Sequence, residues 1–408
     1  MPLKSANNAM LRTLFFRHIG QTSPAPMGLE ITHGKGNYLY DVAGKKYLDL
    51  IAGISVSNIG HGNPKVVEAI KNQADAYLHT LVYGEHIQAI QVRLAEAIVA
   101  TLPTPLDQVF FVNSGSEAIE GAMKLAKRYT GKPEITACSK AYHGSSHGAL
   151  SLNGDEYFRR NFRPLLPGIG QIEFGNPADF EKITEKTAAV VIEAVQGEAG
   201  IRVAPPSYFA ALKQRCSETG TLIILDEIQT GFGRTGTFWK MQSLGIVPDI
   251  VVMAKGMGGG MPLGAFAAPV AIMQTLTENP VLGHISTFGG NPVCCAASLA
   301  TLEYIQENRL VEMVPEKNTL FCNLLQHSCI SEIRSAGLML AVELGSFDRV
   351  LAAITYCLEN GLISDWFLHC NTALRIAPPL TISNDEIEWA CRVLVEAIEV
   401  AEKRFPNA

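Results

Sequence analysis

The sequence predicts an α/β fold, a mostly parallel sheet flanked by helices, with a smaller α+β domain beside it. Between residues 109 and 270, short apolar runs alternate with longer amphipathic stretches. Runs without polar alternation are typical of strands buried on both faces, and strands that alternate with helices favour a parallel sheet. The 408 residues exceed the size at which one core usually stops growing, which favours two domains.

The elements follow in a simple order. Two short apolar stretches at 38–40 and 47–50 enclose a polar turn with glycine, which predicts a hairpin. Residues 298–306 have helical spacing, and the apolar run 333–343, interrupted by glycine, predicts a strand before two last helices. We therefore expect a large domain over 56–304 and a small domain built from 1–55 and 305–408. The predicted strands of the large sheet are 109–112, 190–192, 222–225, 250–254 and 265–268.

Ionisable residues end three of these predicted strands. Glu193 follows 190–192, Asp226 follows 222–225, and Lys255 ends the apolar run that begins at 250. Ligands of α/β sheets gather at the carboxyl ends of the strands, so these side chains are expected to share a site. A desolvated lysine suits Schiff-base chemistry, and an acid that holds a pyridinium nitrogen completes the minimum for pyridoxal phosphate (PLP). The alternative is a surface lysine and a helix-capping aspartate.

Residues 113–118 lie between a predicted strand and a predicted helix and could bind a phosphate. Gly115 allows close approach of the backbone, the helix N-terminus attracts anions, and Ser116 adds a hydroxyl. The same pattern also describes an ordinary N-cap. Tyr142 could stack on a planar cofactor or simply fill the core. The glycine-rich stretch 256–260 has neither the G-x-G-x-x-G spacing of a dinucleotide-binding loop nor the G-K-S/T ending of a P-loop, which argues against a nucleotide site.

Composition excludes several classes of function. The net charge of −6 gives no reason to expect nucleic acid, and no motif has the spacing of a metal site. Nine scattered cysteines without a CxxC pair suit a reducing compartment, so a cytoplasmic location is expected. No apolar stretch reaches the roughly 18 residues of a membrane helix.

The N-terminal segment is basic. Lys4, Arg12 and Arg17 precede the first acid, Glu30, a faint similarity to a mitochondrial transit peptide. Helical spacing of apolar residues favours instead a short amphipathic helix. These residues are Met10, Leu11, Leu14 and Phe15.

Taken together, the motifs resemble those of class III PLP-dependent aminotransferases, in the same order along the chain. The branch it resembles contains acetylornithine, ornithine and 4-aminobutyrate aminotransferases. The resemblance runs from about Gly36 to the C-terminus, and 226–236 with Lys255 is its most specific part. It implies a fold-type I enzyme and a homodimer with shared active sites. The motifs are 113–118, 142–144, 193–198, 225–236, 255–256, 286–292 and 375–379.

The resemblance also implies roles for single residues. Lys255 would carry the Schiff base and move the proton, Asp226 would hold the pyridinium nitrogen, and Gln229 would reach the ring hydroxyl. A further set would complete the cofactor site, with Thr287 reaching the phosphate of the neighbouring subunit. The members of that set are Gly115, Ser116, Tyr142, Glu193 and Thr287.

Substrate binding is implied for Ser286, Glu198 and Arg375. Arg375 would bind a substrate carboxylate through bidentate hydrogen bonds from two guanidinium nitrogens. Glu198 would pair with Arg375 while an ω-amine donor reacts and release it for 2-oxoglutarate. Without the resemblance, Glu198 and Arg375 could be a solvated surface pair.

Two positions depart from the family pattern. Ser145 stands where an arginine usually follows the aromatic-His-Gly triplet, and Ala194 replaces a common proline. The donor is therefore open among ornithine, N-acylornithine and 4-aminobutyrate-like amines. We expect 4-aminobutyrate to react poorly unless Arg202 or an N-terminal base substitutes, and an ornithine-like or neutral-tailed amine to react better. Other interpretations are an amine–pyruvate transaminase, a decarboxylating enzyme, an aminomutase, or a homologue that binds PLP without turnover.

Overall fold

The computed structural model describes residues 8–406, with side chains from Leu11 onward. Lys4, the side chain of Met10 and the two ends of the expected small domain lie outside the described part. Helix α1 (Asn8–His18) occupies the segment predicted to be an amphipathic helix, and Leu11 and Phe16 on it are exposed. None of the helices described is long and apolar enough to cross a bilayer.

Fifteen strands and fourteen α-helices make up the described chain, together with a few short 3₁₀ turns. The strands are β1 (Ile31–Lys35), β2 (Tyr38–Asp41), β3 (Lys46–Asp49), β4 (Gln108–Val112), β5 (Glu134–Cys138), β6 (Ile169–Ile172), β7 (Thr187–Glu193), β8 (Leu222–Asp226), β9 (Ile250–Met253), β10 (Gly264–Ala268), β11 (Glu332–Ser335), β12 (Leu340–Glu343), β13 (Leu362–Ile363), β14 (Asp365–Phe367) and β15 (Cys370–Ile376). The helices after α1 are α2 (Ala52–Ser55), α3 (Pro64–Ala76), α4 (Ala89–Val99), α5 (Gly115–Thr130), α6 (His147–Ser151), α7 (Glu156–Arg159), α8 (Pro206–Thr219), α9 (Lys240–Leu244), α10 (Val270–Met273), α11 (Pro292–Glu307), α12 (Leu310–Leu324), α13 (Phe347–Glu359) and α14 (Asn384–Arg404).

The central sheet has seven strands in the order β4-β10-β9-β8-β7-β5-β6. Strand β10 is antiparallel to both of its neighbours, and the other pairs are parallel. The prediction of a mostly parallel sheet is confirmed, and all five predicted runs are strands. Strands β5 and β6 were not among the predicted strands. Strand β6 is a partly exposed edge strand with glycine and glutamine inside it, which hides it in the sequence.

Burial on both faces explains the unbroken apolar runs. Side chains of successive strand residues point to opposite faces of a sheet. In β7, Val190 and Ile192 pack in one core while Ala189 and Val191 pack in the other. Strands β8 and β9 alternate in the same way, and α5 covers one face with its apolar side. The sheet is thus a rigid middle layer, and its carboxyl edge is a stable platform for a site.

Two four-stranded sheets flank this platform, in the orders β1-β2-β3-β13 and β11-β12-β15-β14. The predicted hairpin is β2 and β3, and the short β13 joins β3 in parallel, which connects the two ends of the chain. The division at 56 and 304 stays a prediction; residue 304 lies within α11.

The prediction of one strand over 333–343 is wrong. The segment is a hairpin of β11 and β12, and the chain reverses at Gly337, where φ is +61°. A Cβ there would lie 2.6 Å from backbone atoms of Thr235, so only glycine fits this close approach. Apolar residues before and after the turn concealed it. Strands β14 and β15 were also not predicted, since their polar residues break the run.

Candidate active site

A cavity of about 470 Å³ opens at the carboxyl edge of the central sheet. It collects side chains from the ends of β7, β8 and β9 and from the start of α5, as the sequence predicted for this edge. Eight of the predicted site residues line it. They are Gly115, Ser116, Tyr142, Glu193, Glu198, Asp226, Gln229 and Lys255.

Lys255 directly follows the buried end of β9 and Ala254. Its backbone φ is +49°, a left-handed conformation that costs a non-glycine residue about 1–3 kcal/mol. Strain of this kind persists where the surrounding structure imposes it, and it concentrates at functional sites. Burial lowers the pKa of the Lys255 amine, and the carboxylates of Glu198 and Asp226 only partly offset this. The amine is therefore easier to deprotonate than a surface lysine.

Asp226 is held by a buried histidine. Its Oδ2 lies 2.7 Å from His143 Nδ1, and its Oδ1 accepts a 2.9 Å hydrogen bond from the amide of Ile228. Burial alone would lower the pKa of His143, but the Asp226 carboxylate outweighs it and raises that pKa. Within the described chain, His143 Nε2 is buried without a hydrogen-bond partner. This pairing fixes the Asp226 carboxylate on the cavity wall.

The role of His143 was missed in the sequence. The motif with Tyr142 was noted, but 83 positions separate the histidine from Asp226. No local spacing could therefore pair them. The only available signal was that a histidine stands inside the motif 142–144.

Glu193 connects two loops of the cavity. Its carboxylate accepts hydrogen bonds from the amides of Tyr142 at 3.3 Å and Gly197 at 3.1 Å. Burial raises the pKa of Glu193 to about 8, with the nearby Asp226 charge adding to the effect and His143 opposing it. Glu193 thus places Tyr142 and the turn that leads to Glu198.

The start of α5 forms another wall. Ser114 caps the helix by accepting a 3.2 Å hydrogen bond from the amide of Glu117, and Gly115 and Ser116 face the cavity. A Cβ at Gly115 would lie 2.9 Å from Ile228 Cδ1, so the turn is already packed closely. The hydroxyl of Ser116 accepts from the amide of Ser145 at 3.3 Å. A helix N-terminus with a hydroxyl beside it is suited to a phosphate.

Arg375 on β15 and Glu198 form an ion pair with a 2.5 Å Nη2–Oε2 distance, in contrast to the solvated surface pair that was the alternative. Their side chains are only 3% and 6% exposed. The guanidinium stacks 4.5 Å above the ring of Phe367, and Nε and Nη1 have no hydrogen-bond partner among residues 8–406. Burial favours the neutral acid at Glu198, but Arg375 lowers its pKa overall. The pair leaves two unused donors on a fixed cation.

Arg375, Ser286 and Thr287 lie outside the cavity lining, and Arg375 contacts the lining residue Glu198. The Ser286 hydroxyl accepts a 2.9 Å hydrogen bond from Asn113 Nδ2, next to the α5 turn. Thr287 is exposed. Ser145 hydrogen-bonds with the hydroxyl of Tyr142 at 3.2 Å, and Arg202 is held by Glu173 at 2.7 Å, away from the cavity wall.

The cavity fits PLP. A nucleophilic amine, a carboxylate for a ring nitrogen and a helix N-terminus for a phosphate face the same space, at Lys255, Asp226 and Gly115. The volume is in the range of small-molecule sites. Among residues 8–406 no group of acids, histidines and cysteines could hold a metal ion.

Comparisons with known proteins agree with this geometry. The family model described as aminotransferase class-III matches residues 19–398. Acetylornithine aminotransferase of Archaeoglobus fulgidus is 39% identical over 93% of this chain and 98% of its own length. Putrescine aminotransferase of Pectobacterium atrosepticum is 38% identical over 90% of this chain and 81% of its own.

Solved structures give the same result. Ornithine aminotransferase from Toxoplasma gondii, in a structure described with partial occupancy of PLP at the active site, superposes with a TM-score of 0.91. The match covers 99% of this chain and 97% of that chain at 27% identity. The fold-type I architecture predicted from the sequence is thereby confirmed. With the family match spanning most of its length, this chain belongs to the class-III aminotransferases, a family of PLP-dependent enzymes.

Proposed function

We propose that the protein transfers the amino group of an ω-amine donor to 2-oxoglutarate, with PLP held in the cavity by the predicted residues. The buried pair of Arg375 and Glu198 carries this proposal. It provides a carboxylate-binding cation that is masked in one state and can be freed in another. Two half-reactions with differently charged substrates need such a cation.

Lys255 supplies the reactive amine. PLP, when bound, supplies an electron sink that stabilises negative charge on the substrate carbon. The lowered pKa of Lys255 favours a free amine. Its Nζ can accept a proton from one atom of the substrate and donate it to another. Asp226, held in place by its hydrogen bond with His143, would pair with the ring nitrogen.

The remaining lining residues hold and orient the cofactor in this proposal. Gly115 and Ser116 would bind the phosphate at the start of α5, and Tyr142 would stack on the ring. Gln229 would reach the ring hydroxyl; it packs so closely on Gly197 that a Cβ there would clash with its Oε1. Glu193 would fix both loops by its two backbone contacts.

The ion pair supports a switch between substrates. While Glu198 holds Arg375, the wall near Lys255 presents no free cation, which suits an amine without a nearby carboxylate. A dicarboxylate acceptor would displace Glu198 and accept hydrogen bonds from the guanidinium of Arg375. These donors include Nε and Nη1, which lack partners within the described chain. Phe367 keeps the guanidinium plane in place during the exchange.

The donor preference is inferred from Ser145, which is exposed and lies outside the cavity lining, hydrogen-bonded to the lining residue Tyr142. Ser145 offers a hydroxyl where a cation is usual, Arg202 is engaged by Glu173, and Lys255 is the one lysine or arginine in the described lining. A buried carboxylate without a cation or hydrogen bonds is costly. An ornithine-like or neutral-tailed amine is therefore favoured over 4-aminobutyrate. The putrescine aminotransferase relative supports a donor of this kind.

A homodimer is also proposed. The segments 78–92 and 281–288 adjoin each other, since Asn291 Nδ2 donates to Leu78 O at 3.1 Å and the rings of His79 and Phe288 lie 5.1 Å apart. Together they expose a set of large apolar side chains, called the patch below, and exposed apolar surface of this kind marks a protein interface. Thr287 lies in it, which suits its expected contact with a second subunit's site. Its members are Leu78, Leu81, Ile87, Val92, Val281, Leu282, Ile285 and Phe288.

The first prediction concerns the covalent residue. Lys255→Ala should abolish attachment of the cofactor and nearly all turnover while the fold survives, because no other amine lines the described cavity. Borohydride reduction and peptide mapping of the wild type should place the pyridoxyl label on Lys255. Lys213→Ala, which removes a lysine bound to a distant carbonyl, serves as the control. A label on any other lysine would contradict the assignment.

The second prediction tests the donor. Ser145→Arg should raise kcat/KM for 4-aminobutyrate by a factor on the order of ten or more, since one charge-assisted pair contributes roughly 1.5–3 kcal/mol. Ser145→Ala removes the hydroxyl without adding a cation and should give no such gain. If the wild type already prefers 4-aminobutyrate to every other amine in a donor panel, the inference from Ser145 is wrong.

The third prediction tests the patch. The wild type should sediment as a dimer, and Ile87→Asp with Phe288→Asp should give monomers with little activity, because charges in an apolar interface are desolvated without partners. A matched control places the same charges outside the patch, at Val203 and Val400, both exposed. A monomeric wild type, or a fully dimeric patch variant, would refute the proposal.

A further inference from the structure

The segment 377–380 follows the strand that carries Arg375, and its polar groups are bound at nearly every position. The amide of Ala377 donates to Leu50 O at 2.5 Å, and the amide of Leu380 donates to Asn58 O at 2.7 Å. The two residues between them, Pro378 and Pro379, have no amide hydrogen. The segment is therefore fastened to the N-terminal part of the chain directly after β15.

A buried arginine donates a hydrogen bond to the same segment. Arg234 is fully buried, and its Nη1 donates to Pro378 O and, at 3.2 Å, to Leu338 O, while its Nη2 donates to Asn58 Oδ1. No carboxylate of residues 8–406 forms an ion pair with it. Burial lowers the pKa of Arg234 to about 9, with Asp49 opposing the effect, so the guanidinium is still charged at neutral pH.

A buried lysine binds the other end of the segment. Lys317 on α12 is 7% exposed, and its Nζ donates to Leu380 O at 2.6 Å. In the described chain it too forms no ion pair within contact distance. Burial lowers its pKa, which Glu386 and Glu316 partly offset. Two desolvated cations thus point at carbonyls two residues apart.

Burying a charge without a counter-charge is costly, so the burial of Arg234 and Lys317 needs a structural explanation. The contacts of Arg234 provide this explanation. Asn58, which it holds, packs against the backbone next to Lys255, so closely that a Cβ at Gly256 would clash with Asn58 Nδ2. Arg234 therefore joins the turn of the reactive lysine to the end of the strand of Arg375.

We propose that Arg234 and Lys317 are positioning residues that hold the segment 377–380 and so fix the Arg375 guanidinium at the distance from Lys255 that a substrate carboxylate needs. The inference rests on the proposed carboxylate-binding role of Arg375. Arg234 acts through Pro378 and Asn58, and Lys317 acts through Leu380. Neither touches the substrate.

The test separates carboxylate binding from amine chemistry. In Arg234→Lys a single ammonium cannot reach three oxygens, so the segment loosens. Calorimetry should show that the dissociation constant of glutarate, an unreactive dicarboxylate, rises on the order of tenfold, and the Michaelis constant for the acceptor 2-oxoglutarate should rise with it. The half-reaction with a monoamine that lacks a carboxylate should change less than about threefold. Hydrogen exchange at the amides of Ala377 and Leu380 should quicken.

Arg215→Lys is the matched control, since Arg215 also binds carbonyl oxygens, of Phe180 and Ile183, away from the cavity. It should leave glutarate binding and exchange at 377–380 unchanged. If Arg234→Lys does not fold, the same measurements on Lys317→Gln decide. Glutarate binding should again weaken and exchange at 377–380 should again quicken, both by a smaller factor. Equal losses for amine and dicarboxylate, or unchanged glutarate binding in the folded variant, would overturn the proposal.

Arg375→Lys distinguishes the two levels of the argument. If it leaves glutarate binding unchanged, the proposed function of Arg375 fails, and the positioning role falls with it. If it weakens glutarate binding while Arg234→Lys and Lys317→Gln do not, only the positioning role is overturned.

Discussion

The site depends on the convergence of three strand ends at one buried edge of the central sheet. β7, β8 and β9 bring Glu193, Asp226 and Lys255 to one edge, where each charge depends on the others. Burial raises the pKa of Glu193 to about 8 and lowers the pKa of Lys255. Asp226 lies between them in the sheet and is hydrogen-bonded to His143 at 2.7 Å. A rigid sheet buried on both faces maintains this arrangement.

Two glutamates five positions apart show how local contacts decide chemistry. Glu193 meets two backbone amides and the nearby Asp226 charge, and its pKa is raised. Glu198 meets the guanidinium of Arg375 and its pKa is lowered. The first fixes loop geometry through its two backbone contacts. In the proposed function, a substrate carboxylate would replace the second at Arg375, while Lys255 would transfer the proton.

The sequence predicted much of this because strand ends are readable. Apolar runs located β4, β7, β8, β9 and β10, and the polar residues that end or follow the first four located the cavity wall. Contacts distant in the chain could not be read: His143 with Asp226, and Arg234 with the segment after β15. The hairpin at Gly337 was missed because its turn is apolar. The expected contact of Thr287 with a second subunit stays a prediction.

The central claim is that one site performs two half-reactions with a single cofactor. The most direct measurement mixes the holoenzyme with an amine donor alone, follows its absorbance spectrum and quantifies the carbonyl product. The account predicts one equivalent of product per site, a stable spectral change, and full reversal with 2-oxoglutarate as glutamate forms. Continued turnover without an acceptor, as a decarboxylating enzyme or an aminomutase would show, contradicts it. So does reversal by pyruvate but not by 2-oxoglutarate, or the absence of any spectral change with every amine.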